Sequence, residues 1–116
     1  GFNQNISAVM QDRNPKDVII AINDNAQDGI DISWLWDVDF DRFSDESVQS
    51  ITVSGIRCQD MRLRLKYVDI PSILQGDVEK AIRNRVEDGT GNLYVLVNYT
   101  ALFSTRNILK RLEGER

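Results

Sequence analysis

The sequence predicts an α/β domain built on a mainly parallel sheet, and three observations support this prediction. Strand-sized apolar runs alternate with segments whose apolar residues recur at helical spacing. The run from Val18 to Ile22 is apolar and β-branched without alternation, as in a central strand covered on both faces. Strands that alternate with helices require right-handed crossovers, which favours a Rossmann-like three-layer sandwich.

The first half of the chain predicts one helix, two strands and a second helix. Apolar residues at i, i+4, i+7 and i+8 mark the first helix, and Val18 to Ile22 is the first strand. Ser50 to Gly55 is the second strand. The second helix has an apolar face and a basic face, and we expect the basic face to be solvated. The residues are Phe2, Ile6, Val9 and Met10 in the first helix; Cys58, Met61, Leu65 and Val68 on the apolar face; and Arg57, Arg62, Arg64 and Lys66 on the basic face.

The second half predicts a short edge strand, a helix, a last strand and a final helix. Ile70 to Leu74 contains Pro71, which favours an edge position. A turn at Asp88 to Asn92 precedes the last strand, Leu93 to Val97. The two helices carry the apolar residues Val78, Ala81, Ile82 and Val86, and Leu102, Ile108, Leu109 and Leu112.

Length and charge limit the classes of function. A chain of 116 residues with these apolar and charged fractions is expected to be a single domain, 1–116. Its single cysteine, Cys58, excludes an internal disulfide and favours a reducing, cytoplasmic compartment. A net charge of −4 makes nucleic acid an unfavourable partner. Because the chain has no histidine, a Cys-His or Ser-His mechanism needs a second polypeptide.

An acidic segment follows the first strand and offers the best candidates for function. From Ile30 to Phe40 every second residue is apolar, so an extended backbone would point Asp31 away from the buried side. An aspartate just after Asp28-Gly29 also fits a turn or helix-cap role. Trp34 and Trp36 fit either the core or an interface with a partner.

The acidic segment does not predict a metal site, and the chain does not predict a phosphate site. Asp37 to Asp41 starts like a calcium loop, but the position that needs glycine is Arg42 and the one that needs glutamate is Val48. The glycine-rich phosphate loops Gly-x-x-x-x-Gly-Lys-Ser/Thr and Gly-x-Gly-x-x-Gly are absent from the sequence. We therefore expect no metal and no cofactor in this domain.

Several motifs together resemble the C-terminal domain of MurT, the Mur-ligase-like subunit of lipid II isoglutaminyl synthase. The resemblance covers nearly the whole chain and implies the fold of Mur ligase C-terminal domains, in a piece excised from a larger ligase subunit. The motifs are Gly1-Phe2-Asn3, Asn23-Asp24-Asn25, Asp28-Gly29-x-Asp31-x-Ser33-Trp34-x-Trp36-Asp37-x-Asp39-Phe40, Ser54-Gly55-x-Arg57, Leu63-Arg64-Leu65-Lys66 and Asn98-Tyr99-Thr100.

The resemblance implies a part in peptidoglycan biosynthesis. Its reaction is the ATP-dependent amidation of D-glutamate in the stem peptide of lipid II, with ammonia drawn from glutamine. The upstream Mur ligase domains would hold ATP and Mg²⁺. A GatD-type glutaminase subunit would dock on this domain and supply the nucleophilic cysteine and the histidine.

The resemblance also implies roles for particular residues. Asp31 matches the acid that completes the glutaminase triad in trans, and Asn23, Asp24 and Asn25 match positions that face substrate in Mur ligases. Trp34 and Trp36 are candidates for partner contact. From the residues alone, a stand-alone Rossmann-like ligand-binding or regulatory module without catalysis is the alternative.

Overall fold

A four-stranded parallel sheet with helices on both faces makes up the computed structural model, which describes residues 1–24 and 32–115. The helices are α1 (Phe2–Gln11), α2 (Cys58–Lys66), α3 (Val78–Asp88) and α4 (Tyr99–Gly114). The strands are β1 (Lys16–Ala21), β2 (Val48–Ser54), β3 (Ile73–Leu74) and β4 (Leu93–Val97). None of the helices in this part of the chain is long and apolar enough to cross a bilayer.

The strand order is β3-β2-β1-β4, and every pairing is parallel. Val18 of β1 lies opposite Ile51 on one side and Tyr94 on the other. All six residues of β1 are buried, including Lys16 and Asp17, and burial of both faces explains the unbroken apolar run that starts at Val18. β3 is an edge strand, as Pro71 indicates. The prediction of an α/β sandwich with a mainly parallel sheet is therefore confirmed.

Two apolar clusters, one on each face of the sheet, hold the helices against the sheet in three layers. The larger cluster joins one face of the sheet to α1, α2 and residues 32–43, and the smaller joins the other face to α3 and α4. Full burial of each Ile, Leu or Phe side chain contributes roughly 1.5–3 kcal/mol to the stability of the folded state. The larger cluster has more such side chains and therefore contributes more of the stability of the core. Representative members are Ile6, Ile20, Phe40, Val53 and Leu65 in the larger cluster, and Ile19, Ala81 and Ile82 in the smaller.

The segment between β1 and β2 differs from the extended conformation considered for Ile30 to Phe40. It forms two 3₁₀ helices, Ser33–Asp37 and Phe40–Phe43. A 3₁₀ helix has three residues per turn, so residues three apart share a face. Period-two alternation is therefore the wrong interpretation of this segment over the residues that the structure describes.

Burial along the first 3₁₀ helix follows this three-residue period. Leu35 is 1% exposed and Val38 is 6% exposed, and the partly buried Ile32 packs on the same core. Trp36, which alternation would bury, is 48% exposed. The apolar residues that anchor this segment are thus Ile32, Leu35 and Val38.

Arg64 is buried on the helix face that we expected to be solvated. Its Nε donates to the carbonyl oxygen of Leu35 at 2.8 Å, and its Nη2 donates to that of Val38 at 2.7 Å. Its guanidinium also lies 5.3 Å from the centre of the Trp36 ring. The solvated interpretation is wrong for Arg64 because the 3₁₀ helix presents carbonyl groups that need donors. Lys66, two residues on, is exposed as expected.

A buried carboxylate ties the strands together at their amino ends. Asp17 is 2% exposed and accepts hydrogen bonds from Ser50 Oγ at 2.6 Å and from the Thr90 amide and hydroxyl at 2.7 and 3.0 Å. Burial raises the pKa of Asp17, but these hydrogen bonds and the nearby positive charge of Arg85 outweigh burial and hold the pKa below its ordinary value. The ionised carboxylate thus links β1, β2 and the turn before β4.

Asp17→Asn should lower the free energy of unfolding by about 2 kcal/mol at neutral pH, because hydrogen bonds to a charged group are lost. Since folding lowers the pKa, ionised Asp17 stabilises the protein above the unfolded-state pKa of about 3.9, and that contribution disappears as pH falls through the folded-state pKa. Urea unfolding at a series of pH values measures both effects. The exposed Asp88→Asn is the control, and equal losses in the two variants would contradict this role of Asp17.

Candidate functional site at the carboxyl ends of the strands

The polar residues that follow β1, β2 and β4 lie close together, because parallel strands bring their carboxyl ends to one edge of the sheet. Asn23 and Asp24 follow β1, residues 55–57 follow β2, and residues 98–100 lie at the start of α4. In open parallel sheets this edge is where ligands and partners bind. We call Asn23, Asp24, Asn98 and Thr100 the strand-end cluster.

Asn98 is the centre of the strand-end cluster and is 8% exposed. Its Oδ1 accepts hydrogen bonds from the amides of Asn23 and Ala101, both at 3.2 Å. Its Nδ2 donates to Oδ1 of Asp24 at 2.7 Å. One side chain therefore caps α4 and fixes the two residues that leave β1.

Asp24 carries a carboxylate that is held almost entirely inside the protein, since the residue is 6% exposed. The hydroxyl of Thr100 donates to the same Oδ1 at 2.7 Å. This carboxylate also lies beside the amino end of α4, where the helix dipole favours a negative charge. Two neutral donors and the first turn of α4 thus surround the Asp24 carboxylate.

Residues 56 and 57, which follow β2, also bond to Asn23 and Asp24. The amide of Ile56 donates to Oδ1 of Asn23 at 3.1 Å, and Nε of Arg57 donates to the carbonyl oxygen of Asp24 at 2.8 Å. The Arg57 side chain is only 17% exposed, so the expectation that it is simply solvated is wrong. Its 3.5 Å ion pair with the more exposed Asp60 adds little stability.

Gly55 is required where β2 passes close to the end of β1. Its φ is +84°, a conformation that L-residues other than glycine adopt at a cost. A Cβ at this position would lie 2.5 Å from the carbonyl oxygen of Ile22 and 2.6 Å from Oδ1 of Asn23. Any side chain here would push Asn23 out of the strand-end cluster.

The two tryptophans lie in different surroundings. Trp34 is partly buried, and its ring centre is 5.2 Å from that of Phe2 in α1. Trp36 is about half exposed and packs edge to face on Tyr67, with ring centres 4.7 Å apart. Leu63 of α2, also exposed, lies one turn before Tyr67, which follows the last residue of the helix. We call Trp36, Leu63 and Tyr67 the α2 surface patch.

A surface cleft of about 350 Å³ opens beside the strand-end cluster. Asp24 and Trp34 line it together with Phe2 and the exposed Tyr99. The structure therefore brings together three of the sequence-predicted site residues: Asp24 and Trp34 line the cleft, and Asn23 lies beside Asp24 in the strand-end cluster. It places Trp36 on the separate α2 surface patch.

The remaining predicted site residues, Asn25 and Asp31, lie outside the described residues. A substrate-facing role for Asn23, Asp24 and Asn25 stays a prediction. Within residues 1–24 and 32–115, no group of three Cys, Asp or Glu side chains is arranged to hold a metal ion.

Sequence reasoning missed the central role of Asn98 and the hydroxyl of Thr100. An asparagine just before the final helix is a helix-cap signal, which could have identified Asn98. Its contacts with residues more than seventy positions earlier depend on strand order, which the sequence does not reveal.

Comparison with known proteins gives consistent matches. The sequence pattern of the MurT ligase C-terminal family matches residues 1–102. The chain is 38% identical over 104 residues to the lipid II isoglutaminyl synthase (glutamine-hydrolyzing) subunit MurT of Staphylococcus aureus (strain COL), covering 88% of this chain and 24% of that protein. It is 28% identical over 112 residues to the subunit of the same name in Streptococcus pneumoniae (strain ATCC BAA-255 / R6). That match covers 94% of this chain and 25% of that protein. The chain thus spans about a quarter of the length of these relatives.

Gly55→Ala should destabilise the protein by clearly more than Gly91→Ala. Both glycines have positive φ, and an L-residue in that conformation costs roughly 1–2 kcal/mol. A Cβ at Gly91 meets nothing within 4 Å, whereas one at Gly55 collides with backbone and with Asn23. Urea unfolding of the two variants measures the difference. Equal losses of unfolding free energy in the two variants would contradict this prediction, because they would mean that the chain around Gly55 accommodates a Cβ without cost.

Proposed function

Because the chain belongs to the MurT ligase C-terminal family, we propose that residues 1–116 are the C-terminal domain of the ligase subunit of a lipid II isoglutaminyl synthase. The reaction we propose for the whole enzyme is the amidation of D-glutamate in the lipid II stem peptide, with ammonia from glutamine. This reaction belongs to peptidoglycan synthesis on the cytoplasmic side of the membrane. The observation that carries the proposal is the family match over residues 1–102.

The proposed chemistry is divided among polypeptide segments. Without histidine, this chain needs a partner for glutamine hydrolysis, and we propose a GatD-type glutaminase that supplies the cysteine and the histidine. The upstream Mur ligase domains would bind ATP and Mg²⁺ and activate the carboxylate of lipid II. This domain would dock the glutaminase and present one acid to it.

We assign that acid to Asp31. A triad acid fixes the tautomer of the histidine and stabilises the imidazolium that forms during catalysis. Such an acid must be presented to the partner while its neighbours hold the backbone in place. The described residues before and after it are themselves anchored, because Asp24 is bonded within the strand-end cluster and Trp34 packs on Phe2.

Asp31→Asn should lower kcat for glutamine hydrolysis by the complex at least about tenfold, because loss of the acid from the serine-protease triad costs about 10⁴. The assay uses the full-length protein that contains this sequence, purified with its glutaminase. Asp88→Asn, an equal charge change at an exposed position at the end of α3, is the control. Native hydrolysis by Asp31→Asn with binding retained would exclude Asp31 as the triad acid.

We propose that the α2 surface patch is part of the surface that docks the glutaminase. Trp36 is five residues after Asp31 in the chain, so a partner that receives Asp31 must approach the first 3₁₀ helix. The patch offers two aromatic rings and Leu63, and aromatic residues are enriched at the anchors of interfaces. Arg64 beneath Trp36 holds this helix on α2, so the ring is presented from a fixed backbone.

Trp36→Ala should weaken glutaminase binding by at least about 30-fold, which corresponds to the 2 kcal/mol that defines an interface hot spot. Phe103→Ala is the matched control, because Phe103 is a more exposed aromatic side chain on α4 and lies outside the family match. Calorimetric titration of the purified subunits measures both dissociation constants. An unchanged dissociation constant for Trp36→Ala would remove the patch from the interface.

A further inference from the structure

We infer that one face of α4 binds an anionic lipid surface, so that the domain lies against the membrane that carries its substrate. The inference rests on the proposed function, because that function places the substrate at a membrane. It goes beyond that function by naming a second interaction surface and its partner. We call this surface the α4 outer face, and it consists of Leu102, Phe103, Arg106, Leu109 and Lys110.

The α4 outer face is one continuous surface of the helix. Its residues occur at positions i, i+1, i+4, i+7 and i+8, which at 3.6 residues per turn lie within about a third of the circumference. The opposite side of α4 carries Ala101 and Thr105, which are buried, and Ile108 and Leu112, which pack on the smaller apolar cluster. The α4 outer face therefore points away from the protein.

The side chains of the α4 outer face combine apolar surface with positive charge. Phe103 is 75% exposed, and Leu102 and Leu109 are 41% and 37% exposed. Arg106 and Lys110 are also exposed, and neither forms an ion pair with another of the described residues. Helices that bind in the plane of a bilayer surface carry Phe and Leu beside Lys and Arg, since the rings enter the headgroup region while the cations meet anionic lipids.

The other charges of α4 do not oppose this assignment. Arg111 and Glu115 form ion pairs with Glu79 and Arg83 of α3, so they are neutralised within the protein. Glu113 lies one turn past the last basic residue of the α4 outer face, which keeps a net positive charge when this acid is counted. The chain as a whole carries a net charge of −4. An anionic surface would thus repel most of the protein and attract this face.

The α4 outer face and the α2 surface patch belong to opposite sides of the sheet. The larger apolar cluster joins α1 and α2 to one face of the sheet, and the smaller joins α3 and α4 to the other. The α2 surface patch also has exposed aromatic rings, but a glutaminase docked there would cover them. In the complex, the α4 outer face is therefore the aromatic and basic surface that is left for a membrane.

Sedimentation with lipid vesicles tests the inference. The full-length protein in complex with its glutaminase is mixed with vesicles of equal parts phosphatidylglycerol and phosphatidylcholine, and the bound fraction gives a partition coefficient. Each Lys or Arg near an anionic surface strengthens binding about fivefold, so Arg106→Gln combined with Lys110→Gln should lower the partition coefficient at least about tenfold. Phe103→Ala should lower it several-fold, because a ring that enters the headgroup region is lost. Added salt should weaken binding of the native complex.

Arg13→Gln combined with Lys66→Gln is the matched control. It changes the net charge by the same amount at two exposed positions, after α1 and at the end of α2, on the other side of the sheet. This control pair should bind the vesicles as the native complex does. Because the substituted side chains in the test and control variants are all exposed, the melting temperature should not change in any of them.

Three outcomes would overturn the inference. The native complex fails to sediment with the anionic vesicles, the Arg106 and Lys110 pair binds as the native complex does, or the control pair loses as much binding as the test pair. The second outcome is the one expected if another part of the full-length protein covers the α4 outer face. None of these readouts uses glutamine hydrolysis, so failure of the proposed function, seen as native hydrolysis by Asp31→Asn, is measured separately.

Discussion

One buried amide, the side chain of Asn98, holds together the edge of the sheet from which the candidate site is built. It bonds to the chain leaving β1, to the amino end of α4 and to the carboxylate of Asp24. Because Asn98 lies more than seventy residues after Asn23 and Asp24 in the sequence, no local interaction could bring these groups together. The position of Asp24 therefore depends on the parallel pairing of β1 with β4.

The two ends of the sheet use buried carboxylates for different purposes. At the amino ends, Asp17 joins β1 to Ser50 and Thr90, and its lowered pKa makes it a contributor to stability at neutral pH. At the carboxyl ends, Asp24 accepts hydrogen bonds from Asn98 and Thr100 and thereby joins the end of β1 to the start of α4.

The fold could be predicted from the sequence because hydrophobic period alone separates buried strands from amphipathic helices. The unbroken run at Val18 indicated the central strand, and Pro71 indicated an edge. The segment around Trp36 was harder, because an apolar pattern of period two overlaps with the three-residue period of a short 3₁₀ helix. Arg64 was missed for the same reason, since the carbonyl groups that it satisfies belong to that helix. The site was predicted in part: Asp24 and Trp34 meet at one cleft, whereas the hydrogen bonds of Asn98 need the strand order.

A structure of the complex between the full-length protein and its glutaminase is the most direct test of the central claim, that this domain completes the glutaminase site. We expect the carboxylate of Asp31 to lie within hydrogen-bond distance, about 2.7–3.2 Å, of a ring nitrogen of the glutaminase histidine. We also expect Trp36 to be buried in the interface. An acid of the glutaminase itself on that histidine, with Asp31 elsewhere, would contradict the account.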